Sequence, residues 1–217
     1  GSAPRGAPHG RLAHGAKQVG GLPTAIEFLP GGKKIEQLSW NDRLHHRQEG
    51  GFNVKNDRDA QVELISDGPL CCAVRVRARY QDGKGKRPDS QPAAEYTWFY
   101  FLHRPAVFVT AAARQKQPKH WDETHFLELT FSSNTFAKWI GGDPAQQGTF
   151  SDANKSFHVP RWGAVVDGNR AVGMISAGRV YVYDSGSRAS KYLQAHGDMA
   201  WKAWDTTERS WRAWLWI

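Results

Sequence analysis

Cys71-Cys72-Ala73-Val74-Arg75-Val76-Arg77-Ala78-Arg79-Tyr80 is the stretch that decides the fold. Its even positions are apolar or aromatic, and Arg75, Arg77 and Arg79 fall on odd ones. Successive side chains of an extended chain point to opposite sides, so this is a strand with a core face and a cationic face. Similar alternation recurs over Ala25–Leu29, Lys34–Trp40, Gln61–Ser66, Ala94–His103, Ala106–Arg114, Thr124–Phe131, Trp162–Asp167, Arg170–Ser176, Arg179–Asp184 and Trp211–Ile217. No stretch holds an apolar 3.6-residue period over three turns. The chain is therefore expected to be all-β, a large antiparallel β-sandwich of eleven or more strands. Pro30-Gly31-Gly32, Asp67-Gly68-Pro69, Gln81-Asp82-Gly83 and Asp167-Gly168-Asn169 read as turns, the last as a tight hairpin. Ser185 to Ser210 reads as a long loop or a short helix.

The 217 residues, 40% of them hydrophobic, suffice for a real core. Twenty-nine Lys and Arg against 21 Asp and Glu leave a net charge of +8, which attracts anions such as polysaccharide, nucleic acid or acidic lipid. No apolar run approaches the roughly 18 residues of a spanning helix, so no membrane partner is expected. Cys71 and Cys72 are neighbours pointing apart, unsuited to a mutual disulfide, and the cysteine count leaves the compartment open. Residues 1–18 open with a Gly1-Ser2 tag scar and read as a loosely ordered leader, with one sandwich domain over residues 19–217. The terminal Trp214-Leu215-Trp216-Ile217 reads as a strand of a domain cut from a longer chain.

Ten tryptophans accompany only two methionines. Trp40, Trp121, Trp139 and Trp162 lie at strand ends, where a β-scaffold presents ligands, and such rings stack on pyranoses or bases or else cap the core. Tyr181, Tyr183, Trp214 and Trp216 read as core, and Ala94–His103, apolar on both faces, as a strand covered on both sides. Arg75, Arg77 and Arg79 form a stripe about 13 Å long suited to carboxylate or sulfate, unless it is a solvated outer face. Glu128 lies mid-strand, as a general acid or base, a sugar acceptor, or the partner of a strand arginine. Asp42 or Asp143 would be a second carboxylate for glycosidase chemistry.

The stretch from Asn41 to Ala60 reads as a long functional loop carrying Arg43, His45 and His46. Within it Asn53, Asp57 and Asp59 supply hard oxygens such as calcium takes, without the spacing of a helix-loop-helix site. No metal or cofactor is expected, a structural calcium being the alternative.

Trp40-Asn41-Asp42-Arg43, Val62 to Pro69, Trp121 to Glu128 and Gly141-Gly142-Asp143-Pro144 resemble β-sandwich domains of bacterial polysaccharide-degrading enzymes, nearest the galactose-mutarotase-like supersandwich. That group includes sugar epimerases, sandwich domains of polysaccharide lyases and non-catalytic domains of glycoside hydrolases, so the fold does not settle the activity. The resemblance implies a secreted or periplasmic protein and a His and a Glu in a concave sheet, of which Glu128 alone is carried over.

The leading expectation is an accessory carbohydrate-recognition sandwich binding an acidic polysaccharide beside a catalytic domain. Trp40, Trp121, Trp139, Trp162, Arg43, His46, Arg75, Arg77 and Asp143 are its candidate ligand contacts. The enzymatic alternative is a mutarotase-like enzyme or a uronate lyase, pairing Arg43 with His45 or His46, or Arg77 with Tyr80. A structural domain packed on a catalytic partner comes next, and single-stranded nucleic-acid binding last.

Overall fold

The structure is a computed structural model that describes residues 9–14, 19–29, 33–36, 38–102, 104–132, 135–151, 155–184, 190–196 and 204–217. Its strands are β1 (His9–His14), β2 (Pro23–Leu29), β3 (Lys33–Ile35), β4 (Ser39–Trp40), β5 (Arg43–His46), β6 (Gly50–Asn53), β7 (Gln61–Asp67), β8 (Cys71–Arg79) and β9 (Ala93–Phe101). There follow β10 (Ala106–Arg114), β11 (Glu123–Thr124), β12 (Glu128–Ser132), β13 (Lys138–Gly141), β14 (Gln146–Thr149), β15 (Lys155–Asp167), β16 (Arg170–Asp184), β17 (Ser190–His196) and β18 (Glu208–Trp216). The expected all-β architecture is present, with antiparallel pairing throughout the described ladders.

The main sheet runs β14-β13-β15-β16-β18-β10-β9-β8-β7, and β17, β12 and β4 branch from β16. Long β16 makes the branch possible. Its Gly173–Ser176 half pairs with β18, whereas its Arg179–Asp184 half pairs with β17. Partner β15 has a bulge between Pro160 and Trp162, where Arg161 takes φ 65°, and a bulge bends a strand. Asp167-Gly168-Asn169 closes the β15–β16 hairpin as read from sequence, with Gly168 at φ 56° and Asp167 opposite Arg170.

Alternation decides which face is buried. Val76, Ala78, Ala94, Tyr96, Trp98, Val107, Val109, Ala111, Ala113, Ala213 and Leu215 line the core side of β8, β9, β10 and β18. Their odd-numbered or even-numbered neighbours face outward, and the second cover expected over Ala94–His103 is missing among the described residues. Phe99 and Phe101 are half-buried instead.

Three further expectations are corrected. The region Asn41 to Ala60 is a β5–β6 hairpin with a 3-10 turn at Val54–Asn56, because Asp42, Asn53 and Asp57 find partners that order it. His9–His14, assigned to a loose leader, pairs with β2, and His14 joins Tyr100 by a hydrogen bond; residues 1–8 lie outside the described residues. The described centre of Ser185 to Ser210 is strand β17.

Gly141 shows how closely β13 meets β15. A Cβ there would lie 2.6 Å from the Trp162 carbonyl oxygen and 2.7 Å from Gly163 Cα, both backbone atoms. Gly141→Ala is expected to cost about 2 kcal/mol, whereas Gly83, with nothing within 4 Å of such a Cβ, tolerates alanine. Urea midpoints of the two variants check this.

Candidate functional site

Two places gather chemistry-bearing side chains: a buried polar cluster and an open sheet face.

The cluster forms because the run Thr124–Phe131 is not one strand. Leu127 adopts φ 56°, which separates β11 from β12 and turns Phe126, Leu127, Glu128 and Leu129 all inward. Asp42 holds this kink. Its carboxylate accepts from the N–H groups of Leu127 at 2.8 Å and Glu128 at 2.9 Å, and from the Tyr96 hydroxyl at 2.8 Å. Burial pushes Asp42 up to about 6 against these bonds.

Glu128 is engaged on both oxygens. Oε1 accepts from Asn41 Nδ2 at 2.9 Å, and Oε2 pairs with His125 Nδ1 and accepts from Gln194 Nε2 at 3.3 Å. The partner is thus an imidazole and two amides rather than a strand arginine. His125 Nε2 lies 3.1 Å from Glu123, which also takes Arg43 at 3.1 Å. Burial opposes protonation of His125, but the Glu123 and Glu128 carboxylates raise its pKa above the ordinary value. The hydrogen bond from His125, with that from Arg43, holds Glu123 down at about 2.

Chemically this is a proton-holding imidazole between two carboxylates. Asp42, His125 and Glu128 are almost fully enclosed, and Arg43 and Glu123 bring the cluster to the surface, at 30% and 25% side-chain exposure.

The open face covers β7, β8, β9, β10 and β18. Register aligns Gln61, Arg77, Glu95, Ala112 and Ser210 in one row, and Glu63, Arg75, Thr97, Thr110 and Arg212 in the next. A third row brings Ala73, Phe99, Phe108, Trp214 and Ile175 together. A cleft of about 430 Å³ between Asp57, Asp59, Arg77, Arg79 and Arg114 continues past Glu95 and Ala112 into one of about 400 Å³ lined by Thr97, Thr110, Ser210 and Arg212. Beyond it Trp214 packs on Phe108 and Phe101 at centroid distances of 4.8 and 5.7 Å.

Of the residues singled out from sequence, Arg75 and Arg77 belong to this face. The tryptophan assignments are corrected. Trp40 and Trp121 are fully buried, their indole N–H groups donating to the Pro23 carbonyl (2.6 Å) and Gln115 Oε1 (3.0 Å), so neither presents a ring to a ligand. Trp139 is buried against Phe157 at 4.4 Å, and Trp162 is half-buried near exposed Asp143, where Gly142 N–H donates to its carbonyl. Conversely Trp214 and Trp216, read as core, are 38% and 49% exposed, whereas Tyr181 is buried as expected.

His45 and His46 are half-buried on β5, with His46 beside Trp121 and 3.5 Å from Glu49. Tyr80 is buried on the side opposite Arg77, so that lyase pair cannot face one substrate. The calcium reading is also corrected: Asp57 binds Arg79 through both oxygens at 2.6 and 3.0 Å, Asp59 binds it at 2.7 Å, and Asn53 caps Lys55. A guanidinium stands where a cation was read. Sequence reading missed His125, Gln194, Thr97, Thr110 and Arg212; the signal for Arg212 was its alternation with Trp211, Ala213 and Leu215, which sets it on the opposite face of the strand.

Trp121→Ala is expected to destabilise by about 3 to 5 kcal/mol, and Trp214→Ala by less than about 1 kcal/mol; denaturant unfolding distinguishes them. For Asp42 the raised folded pKa makes the folded chain the better proton binder between about 4 and 6, so its contribution is largest in acid and is lost as pH rises through about 6. Glu123, lowered to about 2, contributes oppositely, losing stability as pH falls below the ordinary carboxylate range. Asp42→Asn is therefore expected to lower overall stability and to flatten the decline from pH 4 to 7, measured as urea midpoints against pH.

No family model and no curated protein matches the chain. Among solved structures it is similar to the alpha-N-acetylgalactosaminidase NagBb from Bifidobacterium bifidum, at 11% identity and TM-score 0.59, over 95% of this chain and 35% of that one. A protein in glycosyl hydrolase family 38 from Enterococcus faecalis aligns at 9% identity and TM-score 0.60, over 92% of this chain and 28% of that one. This chain thus spans about a third of those chains. Slr1438 from Synechocystis sp. PCC 6803, at 9% identity and TM-score 0.52, aligns over 99% of this chain and 96% of its own. Identity this low carries the fold alone: this chain shares the β-sandwich fold of those structures.

Proposed function

We propose that this chain is a carbohydrate-recognition β-sandwich that serves a glycan-active catalytic domain and prefers acidic polysaccharide. The observation that carries this reading is the open sheet face, where clefts lined by carboxylates, guanidiniums and hydroxyls run up to solvent-exposed aromatic rings. Sugar sites combine such groups, polar side chains fixing hydroxyls beside an apolar surface for the ring. The net charge of +8 supports the acidic preference. The neighbouring folds lie within glycosidase chains about three times as long, which supports a catalytic partner.

A second reading, catalysis, has His125 in its favour, held between Glu123 and Glu128. Its enclosure weighs against it, since a general acid or base must reach the proton it moves.

Affinity gel electrophoresis with neutral and anionic polysaccharides tests the proposal. Retardation by at least one acidic polymer, with no rise in ultraviolet absorbance from unsaturated product, is the expected outcome. New absorbance would replace it with a lyase, and free migration in every gel would overturn it.

A further inference from the structure

We infer that Trp214, Arg212 and Arg104 form a subsite for an anionic pyranose unit, a sugar ring bearing a carboxylate or sulfate. This rests on the carbohydrate-recognition reading and names the place and the chemistry on the open face.

Charge pairing across the face singles out two arginines. Arg75 lies 3.5 Å from Glu63, Arg77 lies 2.7 Å from Glu95, Arg79 binds Asp57 and Asp59, and Arg114 lies 3.0 Å from Glu208. Arg212 and Arg104, both exposed, have no carboxylate partner among the described residues. They flank the aromatic rings from two sides. Arg212 precedes Trp214 by two residues on the same face of β18, about 7 Å along the strand, while Arg104 lines a cavity of about 300 Å³ with Phe101, Trp214 and Trp216.

Trp214 is held for stacking. Phe108 and Phe101 pack against it, so its orientation is set before a ligand arrives. Trp216 faces outward between Ala106, which carries only a methyl group, and Gly173, which carries no side chain. A pyranose laid on the exposed indole brings a charged substituent within reach of either guanidinium, whose planar fork suits carboxylate and sulfate. Its hydroxyls would meet Thr110, opposite Arg212, and Thr97, opposite Thr110. A protein docked on the same rings would instead have to bury two unpaired guanidiniums, which is costly.

The test is affinity gel electrophoresis of the wild-type chain and of Trp214→Ala, Trp214→Phe and Arg212→Gln, with folding checked by thermal midpoint. The probes are polygalacturonate, a sulfated galactan and neutral galactan. An acidic polymer is expected to retard the wild type in preference to neutral galactan, and whichever acidic polymer does so identifies the substituent. Trp214→Ala and Arg212→Gln should each weaken retardation about tenfold or more, Trp214→Phe should restore most of it, and Arg212→Gln should reduce its salt dependence. Retardation untouched by these variants would overturn the subsite and leave carbohydrate recognition standing. Equal retardation by neutral galactan, insensitive to Arg212→Gln, would overturn the anionic part. Free migration with all three probes would overturn the subsite, and the wider polysaccharide panel then decides the recognition reading separately.

Discussion

The Asp42 carboxylate is the constraint on which the interior depends. It lies between β4 and β5 and reaches the Tyr96 hydroxyl on β9 and the Leu127 and Glu128 amides at the kink. Segments far apart in sequence are thereby tied at one buried point. An unpaired buried carboxylate is costly, and so are unpaired buried N–H groups, so these partners require one another. The left-handed backbone at Leu127 persists because that anchor satisfies the amides around it.

The kink in turn makes the polar cluster. With Leu127 turned, Glu128 enters the core and meets His125, Asn41 and Gln194, so that three segments of chain join there. Networks of this kind specify a single arrangement when every member is satisfied. The residue types of a catalytic acid–base pair are present here in a setting that closes them off from solvent. Residue identity and access are separate properties, and this fold separates them.

The two faces of the β8–β9–β10–β18 sheet differ because one is covered and the other is not. Inward, Tyr96, Trp98 and Val109 reach the core; outward, Thr97, Thr110 and Arg212 grade into Phe99, Phe108 and Trp214. Of these rings Phe99 and Phe108 are half-buried by their neighbours and Trp214 stays exposed. No helix among the described residues is long and apolar enough to cross a membrane.

Strand positions were legible in the sequence wherever alternation was regular. Ala106–Arg114 matches β10 end to end, and the Gly168 hairpin is where its turn residues place it. Trp214 and Trp216 were read as core and are exposed, because parity places them on the outward face of β18 with Arg212 and nothing described covers that face. Three things were decided only by tertiary structure: the kink at Leu127, the enclosure of Trp40 and Trp121, and the capture of Asp57 by Arg79. Each depends on partners distant in the chain: on Asp42 for the kink, on Pro23 for Trp40 and Phe52 for Trp121, and on a guanidinium 22 residues away for Asp57. A sequence states which groups are available and which side of a strand they take; burial and pairing follow from what the folded chain brings against them.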